Sequence, residues 1–192
     1  MRVAATDAPS PGELCVLALL VEAPRHGWAL STLLVRDGEL GSIWTMARPL
    51  VYTSLRHLES EGCIKTAGLE RGERGPHRVI FRATPEGRKL VKAWLRQPVE
   101  HVRDIRSLFL LKVVLARRLG YNVEPLLVGQ RGVMVPFAAW LESRLDDVDP
   151  VAEPTDATVL RFRLETARTT IRFIDSMLDE TRSAGTRAPK RR

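Results

Sequence analysis

The residues best suited to chemistry in this 192-residue chain are arginines. Arg48, Tyr52 and Arg56 recur every four residues, with Thr53 and His57 beside them. Arg71, Arg74 and Arg78 follow in a stretch punctuated by glycine and proline. On a helix, a four-residue spacing stacks side chains on one face. Such a face fits the major groove of B-DNA, where a guanidinium pairs bidentately with guanine and Thr or Tyr bonds to phosphate or base. The second group suits the tip and return strand of a hairpin. A basic tip can lie along a phosphate backbone or enter a narrow minor groove, which favours arginine. Either group alone reads equally well as a solvated face; it is their succession that points to a polyanion.

The distribution of charge supports that reading. Net charge is +7. Residues 48–96 carry 11 basic and 5 acidic groups, a net of +6, and residues 182–192 carry a further +5. Residues 1–47 and 97–181 are each at −2. The excess therefore lies in one stretch and one tail, as in a polyanion-binding module joined to a near-neutral partner domain. Hydrophobic residues make up 44% of the chain, enough for a sizeable core. No apolar run reaches the roughly 20 residues of a membrane span, and the N-terminus, with its early Arg2, has no signal-peptide pattern. The expectation is a cytoplasmic protein without membrane contact.

Enzyme signatures are absent from the sequence. It has no glycine-rich phosphate loop, no G-x-S-x-G elbow and no H-E-x-x-H, and its four histidines are scattered. Cys15 and Cys63 have no CxxC partner or nearby His at zinc-ligand spacing, so no metal or cofactor is expected. The cysteines read as buried, reduced thiols, with redox sensing as the other reading. Trp94 lies on an apolar helical stripe and reads as core, while Trp44 falls in a connection. Any of Trp28, Trp44, Trp94 and Trp140 could line a pocket for a flat aromatic ligand, though core packing is the simpler reading.

The elements that must position these residues follow from local signals. Ser10-Pro11-Gly12-Glu13 matches the S-x-x-E capping box and opens a helix with the stripe Leu14, Leu17, Ala18, Val21, ended by Pro24. A second helix starts near Gly27 and stops at Asp37-Gly38. Pro49 opens a third, which buries Val51, Leu55 and Leu58 and ends at Gly62. Ile64 to Leu69 and His77 to Ala83 read as two β segments around a Gly- and Pro-bearing turn. Thr84-Pro85-Glu86 caps a fourth helix, closed by Pro98. Three helices, a hairpin and a helix is the winged helix-turn-helix order.

The second half reads as helical throughout. Residues 104–119 are apolar on more than one side. Residues 124–147 contain Pro136, expected to kink the helix. An acidic, Pro-bearing linker from Asp146 to Pro154 is expected to let the final helix, 155–180, lie away from those before it. In that helix Leu160, Leu164, Ala167, Ile171, Ile174 and Leu178 follow a 4-3-4-3-4 spacing, a coiled-coil seam expected to make a homodimer. The same pattern also serves a helix packing on its own core. Residues 182–192 are expected to be a basic, disordered tail.

Together these segments resemble the PadR family of transcriptional regulators. The resemblance rests on Leu17-Ala18-Leu19-Leu20, His26-Gly27-Trp28-Ala29-Leu30, Leu50-Val51-Tyr52 and Leu55-Arg56-His57-Leu58-Glu59-Ser60-Glu61-Gly62. It continues through Arg74-Gly75-Pro76-His77-Arg78 and Phe81-Arg82-Ala83-Thr84-Pro85-Glu86-Gly87-Arg88, and covers residues 11 to 98. Trp28 stands where the family usually has tyrosine, and Cys63 where it has an aliphatic residue. The resemblance implies a repressor that dimerises through its C-terminal helices, binds a two-fold operator in double-stranded DNA and is released by a small, often aromatic effector. The expected architecture is mostly α with a small β-hairpin wing: a winged helix-turn-helix DNA-binding domain over 10–98 and a helical dimerisation domain over 103–181. A winged-helix protein–protein module without a DNA target is the alternative, and the +6 on residues 48–96 argues against it.

Overall fold

The structure, a computed structural model, describes residues 8–70 and 77–187. The hairpin tip with Arg71 and Arg74, and residues 188–192 of the expected tail, lie outside the described residues. The described chain is mostly helical with a small antiparallel sheet. In order it forms α1 (Pro11–Glu22), β1 (Arg25–His26), α2 (Gly27–Leu34), α3 (Arg48–Ser60), β2 (Ile64–Glu70), β3 (Arg78–Ala83) and α4 (Pro85–Trp94). A 3₁₀ turn (Val102–Asp104) and a π-helical turn (Ile105–Phe109) lead into α5 (Leu110–Arg118), then α6 (Glu124–Asp146) and α7 (Pro154–Arg187). Among the described residues no helix is long and apolar enough to cross a membrane.

The chain divides into two compact units. The first holds α1 to α4, the sheet and, returning from Arg106 to Tyr121, α5. The sequence places residues 104–119 with the C-terminal half; the structure packs them with the winged-helix elements instead. The reason lies in α1, where every residue from Leu14 to Val21 is buried, not only the expected stripe. A helix apolar on all sides needs partners on all sides. Here α3, α4, β3 and α5 surround it. Arg118 of α5 closes the contact, bonding Glu22 at 3.0–3.1 Å and also pairing with Glu39. Lys112, buried on the same helix, lies 5.1 Å from the Trp94 ring centroid, and burial pulls its ammonium down to about 8.

Local signals set the ends of these elements. Both capping-box bonds form at Ser10, with Glu13 Oε2 accepting from the Ser10 N–H at 2.7 Å and Ser10 Oγ from the Glu13 N–H at 3.3 Å. Gly62 ends α3 at φ +68°, a conformation that glycine adopts without strain. The wing strands pair from Ile64↔Ala83 to Glu70↔Arg78, with a bulge between Thr66 and Gly68. A further strand, β1, with no signal in the sequence, adds to the other edge of β3, pairing Arg25 with Phe81 and His26 with Ile80.

The second unit is built on a helical hairpin. Helices α6 and α7 run antiparallel, tied by Arg131 to Asp175 at 2.7 Å and by Arg168 to Glu142 at 2.8 Å. The Gln130 side chain accepts from the Val99 N–H and donates to the Val99 carbonyl, at 2.7 and 3.0 Å, and so holds the preceding connection. Pro136 sits inside α6. The linker does not free α7; it turns the chain back along α6. Leu164, Ala167, Ile174 and Leu178 of the expected dimer seam are thus already buried within one chain, and Leu160 and Ile171 are half-buried. Nor does helix end where the basic tail begins: α7 runs on to Arg187, and Arg182 pairs with Asp179 one turn earlier.

Candidate nucleic-acid interface

Helix α3 buries one side and leaves the other bare. Val51, Ser54, Leu55 and Leu58 pack inward, while Arg48, Leu50, Tyr52, Thr53 and Arg56 are exposed. Nothing caps its N-terminus with a side chain and its first turn holds no acid, so the positive end of the helix is uncompensated beside Arg48. The Arg56 guanidinium donates to Thr53 Oγ1 at 3.2 Å, which orders it across the exposed face.

The helix is positioned by close packing against α2. His26 caps α2, its Nδ1 accepting from the Ala29 N–H at 3.0 Å. That acceptor role leaves a neutral ring's proton on Nε2, which faces Glu70 at 3.4 Å. At Gly27 an added Cβ would lie 2.6 Å from the Tyr52 ring, so the absence of a side chain there lets the two helices meet through Tyr52.

His57 does not share the bare face. Its Nδ1 lies 2.6 Å from Glu13 Oε1 on α1, and its Nε2 lies 4.0 Å from Glu61. At 3.6 residues per turn, five residues from Tyr52 is a rotation of about 140° away from that face, so helical geometry itself separates the two. Burial works to raise the Glu13 carboxyl, but hydrogen bonds from Ser10 and His57 outweigh it and hold the group below the usual carboxylate range. His57 therefore ties α3 to α1.

The wing shares a cleft with α3. His77, Arg78, Val79 and Phe81 line a cleft of about 510 Å³ together with Tyr52, Leu55, Arg56 and Glu59 of α3 and with His26, Gly27 and Trp28. Arg78 stacks over Trp28 at 5.2 Å, a cation–π contact. Three of the expected residues, Tyr52, Arg56 and Arg78, thus meet at one cleft, while Arg48 and Thr53 lie on the same helix outside its lining. Lys65 and Arg82, both exposed, stand directly opposite each other in the β2–β3 register. Like charges paired across strands cost stability, and a bound polyanion would relieve that cost. Trp28, 46% exposed, is the residue that sequence reasoning missed, having weighed it as core. Its signal was position, directly after the glycine on which Tyr52 packs.

Neither thiol has thiolate character. Burial pushes Cys15 up to about 12, and burial together with Glu61 and Glu86 raises Cys63. Among the described residues no group of three or more His, Cys, Asp or Glu could hold a metal ion.

Residues 16–93 match the family model described as the transcriptional regulator PadR-like family, a family of regulators and not of enzymes. Among solved structures, the chain is similar to Bacillus subtilis PadR in complex with operator DNA, at 19% identity and TM-score 0.43, covering 90% of this chain and 99% of that one. It is also similar to smu.1604c from Streptococcus mutans UA159, at 20% and 0.42, covering 88% and 98%. A third likeness is to the PadR-like transcriptional regulator BC1756 from Bacillus cereus, at 21% and 0.39, covering 91% and 98%. No curated protein matches.

Proposed function

We propose that this protein is a sequence-specific regulator of transcription, a repressor that binds a two-fold operator in double-stranded DNA as a homodimer. The observation that carries the proposal is the bare face of α3, with Arg48, Tyr52, Thr53 and Arg56 outward beside a wing bearing Arg78 and Arg82. A helix of this kind enters the major groove, and its N-terminal residues reach base edges while the wing follows the backbone. The match of residues 16–93 to a family of transcriptional regulators supports it. Homodimerisation follows from the economy of two half-sites, since a second recognition helix multiplies the affinity of the first.

The test is selection of bound fragments from random genomic DNA by the purified protein, followed by titration across salt. Enrichment of a two-fold sequence, with affinity falling linearly as log salt rises, is the expected result. No enriched sequence and no salt-dependent binding would leave the winged-helix protein–protein module in its place.

A further inference from the structure

Trp28 lies in the first turn of α2 and is 46% exposed, so packing of the interior does not account for it. Its neighbours hold it in place. Gly27, the residue before it, sits against the Tyr52 ring, which sets this end of α2 against α3. The His26 ring caps α2 and lies 6.2 Å from the Trp28 ring, centroid to centroid. The Arg78 guanidinium rests over Trp28 at 5.2 Å.

Arg78 opens β3, and its cross-strand neighbour is Glu70. Opposite charges at such positions ordinarily attract each other. Here the Glu70 carboxylate faces His26 Nε2 at 3.4 Å, and the guanidinium lies over the tryptophan. The two arrangements differ in what they leave for a ligand. A carboxylate cancels the charge of a guanidinium and occupies its N–H donors. An aromatic ring attracts the cation through its quadrupole and leaves both charge and donors to an incoming phosphate. The ring also restricts a long, exposed side chain in advance, so less rotamer freedom is lost on binding. Arg56 of α3 lines the same cleft, which thus carries one guanidinium from the helix and one from the wing.

We infer that Trp28 is a positioning residue for DNA binding: it holds the Arg78 guanidinium, charged and with its donors available, for a backbone phosphate beside α3. The ring acts through Arg78 and not on the nucleic acid itself. This rests on the DNA-binding reading above and adds the residue that sets the wing's arginine relative to the helix.

Fluorescence anisotropy of the full chain on the selected duplex, titrated across salt, tests it. Arg78→Ala should flatten the slope of log affinity against log salt by about 0.9, the share of one phosphate contact. Trp28→Leu removes no charge, yet it should weaken binding severalfold and flatten the slope in the same direction. A tryptophan that served only the fold would leave the slope alone. Trp28→Gln, polar and suited to a half-exposed site, should behave as Trp28→Leu does, so the test does not hang on the folding of one variant. Trp28→Phe keeps a ring beneath the guanidinium and should recover most of the affinity and of the slope. In the Arg78→Ala background Trp28→Leu should have no further effect. The inference is overturned, and DNA binding left standing, by a wild-type salt slope in Arg78→Ala or in both Trp28→Leu and Trp28→Gln. Equal losses from Trp28→Leu with and without Arg78 overturn it as well. A wild-type chain that binds no duplex overturns both readings.

Discussion

Arg56 is the side chain from which the proposed recognition asks most, because it is exposed, held by Thr53 and directed into the cleft beside the wing. If it reads a base, Arg56→Ala should cost about 1–3 kcal/mol on the selected sequence and relax discrimination at one position. If it touches phosphate alone, affinity should fall evenly on selected and scrambled DNA. Fluorescence anisotropy on the two duplexes separates these outcomes, and no change on either would remove α3 from recognition. Glu13 makes a different prediction. Its carboxyl is held below its ordinary range when folded, so it contributes stability above the unfolded pKa and loses it as pH falls through the folded one. Glu13→Gln should therefore destabilise by about 1–3 kcal/mol at neutral pH, the cost of removing a charged hydrogen-bond partner. The gap from wild type should close as the solution is taken below the usual carboxylate range. Thermal melts at neutral and acid pH check it, and a gap independent of pH would mean the carboxylate's charge is not what holds His57.

At the scale of elements, Gly27 is a point where α2 meets α3 that can be broken and repaired. Gly27→Ala drives a methyl group into the Tyr52 ring and should cost about 1–3 kcal/mol by overpacking. With Tyr52→Ala also present the clash with the ring is gone and only the looser approach to Leu55, at 3.1 Å, remains, so denaturant midpoints in the double-mutant cycle should show strong coupling; additive losses would place the strain elsewhere. The wing makes a prediction through salt. Replacing Arg71 and Arg74 with alanine should flatten the slope of log affinity against log salt by up to about two units, roughly 0.9 per lost phosphate contact. An unaltered slope would mean that the wing tip does not reach DNA. Much of this architecture was legible because its signals are local: the Ser10 capping box, the Thr84 cap and the period of α3 each depend on neighbours in sequence. What was not legible depends on distant partners. Strand β1 is two residues long and has no period to read; it exists because β3 offers an edge. His57 looked like a neighbour of Arg56, and only counting rotation from Tyr52 turns it towards Glu13. The 4-3 seam of α7 was legible as a seam, but such a pattern does not say whether the covering helix comes from the same chain.

The whole molecule is two units whose boundary departs from chain order, since α5 follows the first residues of the second unit and yet packs in the first. This changes where the chain can be cut. A winged-helix fragment ending at residue 98, the boundary suggested by sequence, would lack Phe109, Leu111, Val113 and Leu115, all buried. Full burial of a side chain of this size is worth about 1.5–3 kcal/mol, so losing four partners removes an amount comparable to the roughly 5–15 kcal/mol of a typical domain. Extending the fragment to Tyr121 restores all four and the Arg118 contacts with Glu22 and Glu39. The 1–121 fragment is therefore expected to melt cooperatively as a monomer that binds the selected DNA far more weakly than the full chain, because it carries one recognition helix and no α7. The 1–98 fragment is expected to aggregate or melt without a cooperative transition. Circular dichroism melts of the two fragments decide the point: equal stability would show that α5 is dispensable to the winged-helix core, and its packing there would then be no part of what holds α3 in place.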